Sequence, residues 1–263
     1  MYTLYHMELN KTIWLLWLQG WNKAPWLVQQ VAESWKINNP GWKIIYLDEV
    51  SLPTYVTDEY LYDTTKNITV QAKSDIIRLS LLKNYGGVWA DATMLCMQPL
   101  DSWVHRAVTP AGFWMYHGTG AGMPKEVGPA SWFIVSVKGG AIITKWKEEC
   151  DIYWRAHNEA HQYFWMDGLF NRIFNLDFDV QDLWLKVPYV WCEDDGQAHT
   201  LANYGMENDT PHIKKLLAER PPYALKLWRH FDTMFPDVTV EACQKSNAYF
   251  AVQMAKRLPV SLI

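Results

Sequence analysis

Two carboxylates and one guanidinium occur close together in the stretch KSDIIRLSLLKNYGGVWADATMLCMQPL, residues 73–100. Asp75 and Arg78 are three residues apart, so a helix would place both on one face. Asp91 directly follows Val88-Trp89-Ala90, a short apolar run that predicts a buried strand. Carboxylates accept hydrogen bonds from sugar hydroxyls, and a guanidinium donates to sugar or phosphate oxygens. The three side chains together therefore suit the binding of a sugar or a phosphate.

The local sequence predicts which elements position these side chains. Ser74 is the expected N-cap of a helix whose apolar positions have helical spacing. The helix should end near Asn84, because Gly86-Gly87 supplies the flexible backbone of a C-terminal cap. The strand that follows then carries Asp91 to one edge of a sheet. Open α/β folds bind their ligands at that edge.

Each of these residues also has an ordinary structural interpretation. Asp75 would favour a helix N-terminus through the helix dipole, and Asp-x-x-Arg is a common surface pair. Asp91 would serve as a turn residue after a strand. For any one residue alone the structural interpretation is the simpler one, but the order and spacing of all three favour a binding site.

The segments SDIIR and GGVWADAT resemble the donor-site signature of capsular polysaccharide synthesis glycosyltransferases, relatives of DxD-containing sugar transferases and of clostridial toxin glucosyltransferase domains. The resemblance implies that Asp75 and Arg78 hold the donor sugar. It also implies that Asp91 bridges the nucleotide sugar and a divalent cation, Mn²⁺ or Mg²⁺. The sequence departs from the pattern at Thr93, where the second carboxylate would stand. Thr93 is thus a weaker candidate metal ligand, and a metal-free enzyme is the alternative.

Two further segments supply candidates for the nucleotide and the acceptor. Trp17 in LWLQGW matches the Trp that stacks on the nucleobase in the toxin-like relatives, and Gln19 would add a hydrogen bond. The alternative for Trp17 is a core residue in a buried strand. Asp167 in YFWMDGLFNR resembles the D-x-L-N segment that borders the donor sugar in retaining relatives, so Asp167 and Arg78 are the catalytic candidates. The alternative for Asp167 is an ordinary Asp at a helix N-terminus.

The segment ALKLWRHFD supplies two candidates from the last third of the chain. Lys226 resembles the Lys of the family's K-L motif, and its ammonium suits the leaving diphosphate because it neutralises charge as the glycosidic bond breaks. His230 is a candidate metal ligand. The alternatives are a Lys on the wet face of an amphipathic strand and a lone His at the surface or in the core.

Length and composition fit a single enzyme domain spanning residues 1–263, without a linker, charge block or repeat. Apolar residues make up 49% and charged residues 20%, which supports a sizeable core. The formal net charge of −4 argues against nucleic acid, which would need a basic face. The 16 Trp suit both core packing and stacking on sugar rings or a nucleobase, and most are expected in the core.

The cysteines and the N-terminus bear on location. Cys96, Cys150, Cys192 and Cys243 are far apart and form no CxxC, so neither zinc-finger spacings nor a disulfide framework are indicated. We expect free thiols in a reducing compartment. No signal peptide is recognised, and the apolar run Ile13–Leu18 is too short to span a bilayer. The expectation is a cytoplasmic protein without a transmembrane segment, with peripheral contact at the inner membrane face left open.

Alternating strand and helix patterns predict an α/β fold with a mostly parallel nucleotide-binding sheet flanked by helices. The resemblance implies the GT-A glycosyltransferase fold and covers about Ile13 to Trp228. Predicted strands are 12–18, 42–47, 88–90, 94–97, 112–116, 131–137 and 223–228, and predicted helices are 26–38, 74–84, 141–157, 165–174 and 241–257.

The function that these observations predict is transfer of a sugar from a nucleotide-diphosphate donor, with a UDP-linked hexose expected, to a saccharide or lipid-linked saccharide acceptor in surface or capsular polysaccharide synthesis. The resemblance implies retention of configuration. A non-catalytic nucleotide-sugar or glycan binding protein on the same scaffold is the first alternative. A glycoside hydrolase that uses Asp91 and Asp167 is the second.

Overall fold

The computed structural model describes residues 8–118, 128–192, 219 and 222–226. The strands are β1 (Thr12–Leu16), β2 (Lys43–Leu47), β3 (Gly87–Ala90), β4 (Met94–Cys96), β5 (Phe113–His117), β6 (Pro129–Ser136) and β7 (Ala224–Lys226). The α-helices are α1 (Trp26–Asn38), α2 (Val70–Tyr85), α3 (Val104–Val108), α4 (Ala141–Ala156), α5 (Trp165–Leu176) and α6 (Phe178–Trp184). A five-stranded sheet has the order β2-β1-β3-β6-β5, and a two-stranded sheet pairs β4 with β7.

Four of the five strands in the larger sheet run in one direction. Strand β1 pairs in parallel with β2 and β3, while β6 pairs antiparallel with β3 and with β5. The predicted α/β class with a mostly parallel sheet is therefore confirmed. The carboxyl ends of β1, β2, β3 and β5 meet at one edge of the sheet, which we call the carboxyl edge.

The turn between α2 and β3 explains why two glycines stand together there. Gly86 and Gly87 have φ angles of 69° and 100°, which a side chain would strain. A Cβ atom at Gly87 would also lie 2.4 Å from the carbonyl oxygen of Thr12. Only glycine lets β3 approach β1 so closely. The predicted helix stop and the strand that follows it are both confirmed, and they place Asp91 directly after the last residue of β3.

The predicted start of this helix is wrong by about one turn. Helix α2 begins at Val70, and its N-cap is Thr69, whose side-chain oxygen accepts a hydrogen bond from the Ala72 N–H at 3.2 Å. Ser74 lies inside the helix. Both residue types are good caps. The Thr69 side chain satisfies the Ala72 N–H, which has no partner within the helix. Asp75 and Arg78 therefore lie in the body of α2 rather than in its first turn.

Much of the core is aromatic, as the composition predicts. Among the described residues, ten Trp are buried, namely Trp14, Trp35, Trp42, Trp89, Trp103, Trp114, Trp146, Trp154, Trp165 and Trp184.

The short helices α3 and α6 were not predicted. The late strand of the prediction is present as β7, whereas the predicted helix 241–257 lies outside the described residues. Over the described ranges, no helix combines the length and the apolar character needed to cross a bilayer.

Candidate active site

Asp91 is the centre of a charged cluster at the carboxyl edge. Its backbone N–H donates to the Trp132 carbonyl at 2.9 Å, which continues the ladder between β3 and β6 and fixes the start of the side chain. Its Oδ1 accepts a hydrogen bond from the Trp89 indole N–H at 3.0 Å and lies 3.2 Å from Arg78 Nη2. Its Oδ2 lies 2.7 Å from Lys226 Nζ. Both carboxylate oxygens are thus engaged by groups of the protein.

Arg78 connects α2 to the sheet. All three guanidinium nitrogens have protein partners: Nε and Nη2 donate to Ser74, Nη1 donates to the Ser131 carbonyl at 2.7 Å, and Nη2 lies 3.2 Å from both Asp75 and Asp91. The side chain is only 7% exposed. We predicted from the sequence that Arg78 contacts the donor sugar. That role stays a prediction, and the contacts of Arg78 within the protein also suit it to position the two carboxylates.

Lys226 brings a second cation to the cluster from the distant strand β7. Strand β7 pairs antiparallel with β4, and the register places Lys226 opposite Met94. The ammonium donates to Asp91 Oδ2 and to the Thr93 hydroxyl, which accepts at 3.2 Å. The side chain is 18% exposed, so the ammonium remains accessible from the carboxyl edge.

The charges of the cluster set the ionisation of Asp91. Burial alone would raise the pKa of its carboxyl, but Lys226 and Arg78 more than offset that effect and hold the pKa below its usual value. Asp91 is therefore a carboxylate at any pH near neutrality. Its negative charge is shared between two fixed cations.

The pKa values of Asp75 and Asp167 are raised rather than lowered. Burial raises the pKa of Asp75 to about 6, in spite of the neighbouring Arg78. Burial and repulsion from Asp75 raise the pKa of Asp167 to about 7, while Arg78 lowers it. Asp167 lies in the first turn of α5 and is only 6% exposed. The structure thus brings Asp167 close to the Asp75–Arg78 pair and gives it a pKa suited to proton exchange near neutral pH.

The substitution Asp167→Asn should stabilise the protein above neutral pH. The folded pKa of about 7 exceeds the ordinary value, so the contribution of the protonated group to stability is present below about pH 4 and is lost as the pH rises through 7. We expect the variant to exceed the wild type by on the order of 1–3 kcal/mol at pH 8 and to match it near pH 4. Urea unfolding at both pH values measures this.

The exposed Asp182, which is paired with Lys186, provides the matched control for that experiment. Its carboxylate loses little hydration on folding, so Asp182→Asn should show no gain at pH 8. A wild type whose stability is as high at pH 8 as the variant's would contradict the raised pKa of Asp167.

The end of β1 carries the candidate nucleotide residues. Trp17 follows the last residue of β1, is half-buried, and accepts a hydrogen bond from Gly20 through its carbonyl at 3.0 Å. Its indole N–H is buried with no hydrogen-bond partner among the described residues. Gln19 is exposed in the same turn. Trp17 and Asp91 thus follow neighbouring parallel strands at one edge, with Trp17 neither fully in the core nor fully in water.

Three residues of this site were not predicted, and one predicted residue is not seen. Trp89 orients Asp91 and carries the Arg78 guanidinium over its ring at 5.2 Å. Ser74 and Ser131 hold the guanidinium from two sides. Ser131 begins the predicted strand 131–137 and directly precedes Trp132, whose carbonyl accepts from the Asp91 N–H. Its polar side chain at that strand end is the signal that would have indicated it. The candidate ligand His230 lies outside the described residues.

The side chains around Asp91 do not fit the predicted Mn²⁺ or Mg²⁺ site. Such ions take several oxygen ligands, and Mg²⁺ demands near-octahedral geometry. Here the Asp91 carboxylate has both oxygens engaged, the Asp75 carboxylate is paired with Arg78, and the Thr93 hydroxyl accepts from Lys226. Over the described part of the chain, no group of three or more His, Cys, Asp or Glu could hold a metal ion. Asp91 and Thr93 are therefore poorly arranged as metal ligands.

A second charged cluster shares no residue with the site around Asp91. Buried Lys147 is paired with Asp58, at 2.8 Å, and with Asp151, and both carboxylates line a polar cavity of about 660 Å³. Burial opposes the charge on Lys147, but its hydrogen bonds to the two carboxylates raise its pKa above the ordinary value. The pairing joins the loop before α2 to helix α4, so its evident role is structural.

Comparison with known proteins identifies relatives for most of the chain. Residues 2–227 match the model of a family described as capsular polysaccharide synthesis protein. A glycosyltransferase of Aspergillus fumigatus, afumC, is 33% identical over 105 residues, which are 35% of this chain and 27% of that protein. The O-glycosyltransferase braB of Annulohypoxylon truncatum is 25% identical over 165 residues, 56% of this chain and 38% of that protein. The chain thus spans about a quarter to two fifths of these relatives.

Among solved structures, the PaToxG glycosyltransferase aligns with 67% of this chain and 74% of its own, at 15% identity and a TM-score of 0.45. The galactosyltransferase LgtC, in complex with donor and acceptor sugar analogs, aligns with 95% of this chain and 98% of its own, at 12% identity and a TM-score of 0.44.

Proposed function

We propose that this chain, which belongs to the capsular polysaccharide synthesis protein family, is a glycosyltransferase that moves a sugar from a nucleotide-diphosphate donor to a saccharide acceptor. The family match and the names of the two curated relatives support transfer of a sugar. The observation that carries the proposal is Asp91 at the carboxyl edge, held between Arg78 and Lys226. We treat residues 1–263 as a single catalytic domain of the GT-A type.

Each part of a nucleotide sugar has a matching group at the carboxyl edge. Trp17 offers the accessible part of its half-buried ring to the base. Lys226 offers its partly exposed ammonium to the diphosphate. Asp75 accepts hydrogen bonds from donor-sugar hydroxyls, and Arg78 fixes its orientation. A UDP-linked hexose is the donor that we propose, and a growing surface polysaccharide or a lipid-linked saccharide is the acceptor.

We further propose that the configuration at the transferred carbon is retained. Asp167 of α5 is near enough to Asp75 for the two carboxyl groups to repel each other, and its raised pKa makes it a poor permanent anion. In our mechanism the bond from the sugar to the diphosphate breaks, and its electron pair passes to the leaving oxygen. The acceptor hydroxyl attacks on the same face, and its proton moves to that phosphate oxygen. Asp167 orients the acceptor in this scheme.

Turnover of nucleotide sugars tests the proposal. The protein is incubated with UDP-, GDP-, CDP- and ADP-hexoses and with oligosaccharide acceptors, and released nucleoside diphosphate and extended saccharide are measured. We expect slow release without acceptor and faster release with it. Binding without any release would indicate the non-catalytic alternative. Cleavage of glycosides that carry no nucleotide would indicate a hydrolase.

The substitution Trp17→Leu should weaken nucleotide binding specifically. Stacking of a base on an aromatic ring contributes about 1–3 kcal/mol, so the Kd for the nucleoside diphosphate should rise by about 5- to 150-fold. Titration calorimetry with UDP measures this. Trp42→Leu is the control, because Trp42 directly precedes β2 and so lies at the opposite edge of the sheet. Equal UDP affinity in the wild type and in Trp17→Leu would place the base elsewhere.

A further inference from the structure

The Lys226 ammonium occupies the notch between Asp91 and Thr93. These two side chains correspond to the acidic pair that the sequence pattern would supply to a metal ion. Nζ lies 2.7 Å from Asp91 Oδ2 and 3.2 Å from Thr93 Oγ1. The backbone pairing of Lys226 with Met94 fixes this position, since Met94 directly follows Thr93. The sheet therefore holds the backbone of Lys226 next to Thr93, within reach of both side chains.

The other oxygen of Asp91 is also engaged by the protein. Its Oδ1 accepts from the Trp89 indole at 3.0 Å and lies 3.2 Å from Arg78 Nη2. A divalent ion at Asp91 Oδ2 would have to displace the ammonium or lie beside it, against like charge. Thr93 offers only a neutral hydroxyl in exchange, which is a weak ligand for a hard cation. Both the ligands and the charges favour the ammonium.

A leaving diphosphate needs a fixed positive charge and a hydrogen-bond donor, and Lys226 supplies both. An ammonium has three N–H donors. Two are directed to Asp91 and Thr93, and the third remains for a phosphate oxygen at the exposed side of the cluster. The paired carboxylate holds the ammonium in place before the substrate arrives, so little reorganisation is needed at the moment of bond cleavage.

We propose that Lys226 replaces the divalent metal ion of this site and that donor binding and turnover require no added metal. The inference rests on the proposed transfer from a nucleotide-diphosphate donor. In the reaction, the electron pair of the breaking sugar–oxygen bond passes to the diphosphate, whose added charge is stabilised by the Lys226 ammonium. The acceptor oxygen forms the new bond to the sugar, and its proton goes to the diphosphate.

The first experiment compares nucleoside-diphosphate binding with and without metal. Titration calorimetry with UDP, GDP, CDP and ADP is run in EDTA and again in MnCl₂, on the wild type, on Lys226→Met and on Lys11→Met. Lys11 is an exposed lysine paired with Asp101 at 3.0 Å, which makes it the matched control. The wild type should bind one of these diphosphates equally well in both buffers. Lys226→Met should lose at least about tenfold in both, and Lys11→Met should bind like the wild type.

The outcomes separate this inference from the proposed function. Binding by the wild type only in MnCl₂ would overturn the role of Lys226 and leave the transferase intact. Binding of none of the four diphosphates in either buffer would overturn the proposed function and the inference with it. If Lys226→Met does not fold, the wild-type titration in EDTA still shows whether diphosphate binding requires metal. Lys226→Arg then tests whether a positive charge at this position is sufficient.

A second experiment asks whether the site can be converted to a metal site. The double variant Thr93→Asp/Lys226→Ala supplies the missing carboxylate and removes the ammonium. Its diphosphate affinity should depend on Mn²⁺, and electron paramagnetic resonance should detect about one bound Mn²⁺ per chain in the presence of UDP. The wild type should bind no stoichiometric Mn²⁺ under the same conditions, and stoichiometric binding there would overturn the inference.

Discussion

Replacing Asp91 by Asn should lower turnover of the nucleotide sugar by about 10²–10³-fold while leaving the fold in place. The amide has the same shape and its oxygen can still accept from Lys226, but the negative charge that holds the two cations is lost. Without it, the Arg78 and Lys226 side chains are no longer drawn to one point, and the ammonium is no longer oriented toward the phosphates. Initial rates of nucleoside-diphosphate release, with thermal unfolding alongside, measure the effect.

Asp101→Asn is the control for this variant, because Asp101 also accepts a lysine ammonium and an indole N–H, from Lys11 and Trp42, but at the protein surface. Its removal should leave the rate unchanged. Asp91→Asn with wild-type turnover would show that the carboxylate has no part in catalysis.

Replacing Arg78 by Met should lower the melting temperature sharply. The guanidinium is 7% exposed, and its loss leaves Asp75 and Asp91 facing each other with one counter-charge fewer. Removing one partner of a buried ion pair costs about 3–5 kcal/mol. In a domain of this size that corresponds to a decrease of roughly 10 °C. Scanning calorimetry measures it. A surface pair, which was the structural alternative in the sequence analysis, would cost at most about 1 kcal/mol.

A second substitution distinguishes charge from packing in this variant. Arg78→Met/Asp75→Asn removes the unbalanced carboxylate, so part of the lost melting temperature should return while turnover stays low. Arg172→Met, at an exposed Arg paired with Glu149 at 3.1 Å, should change the melting temperature little. An unchanged melting temperature in Arg78→Met would mean that Arg78 is not buried between the two carboxylates in solution.

The sequence was sufficient to predict the order of strands and helices that builds the site. We predicted the end of α2 at the two glycines, the short apolar strand β3 and the position of Asp91 at its end. Each of these depends on local backbone preferences. The start of α2 was misplaced because Thr69 and Ser74 are both good caps, and local sequence does not rank them. Helix α6 was missed although Asp177 caps it through the backbone N–H groups of Asp179 and Val180.

The contacts that give the site its character could not be predicted, because they join residues far apart in the chain. Ser131 reaches Arg78 only through the pairing of β6 with β3, and that contact helps to hold Arg78 between the two carboxylates. Lys226 was named as a phosphate ligand, but its pairing with Asp91 and Thr93 depends on β7 lying against β4. The proximity of Asp167 to Asp75 arises in the same way, from the packing of α5.

The separation of 135 residues between Asp91 and Lys226 has a consequence for how the protein is made. Strands β1, β2 and β3 lie within residues 12–90, so the ribosome releases the parallel half of the sheet early. At about 5–20 residues per second, the nascent chain carries Asp91 for roughly 10 s before Lys226 is synthesised. Until then Asp91 has Arg78 as a counter-charge but not Lys226. The three parallel strands can thus pair while the Asp91 carboxylate still lacks one of its two cations.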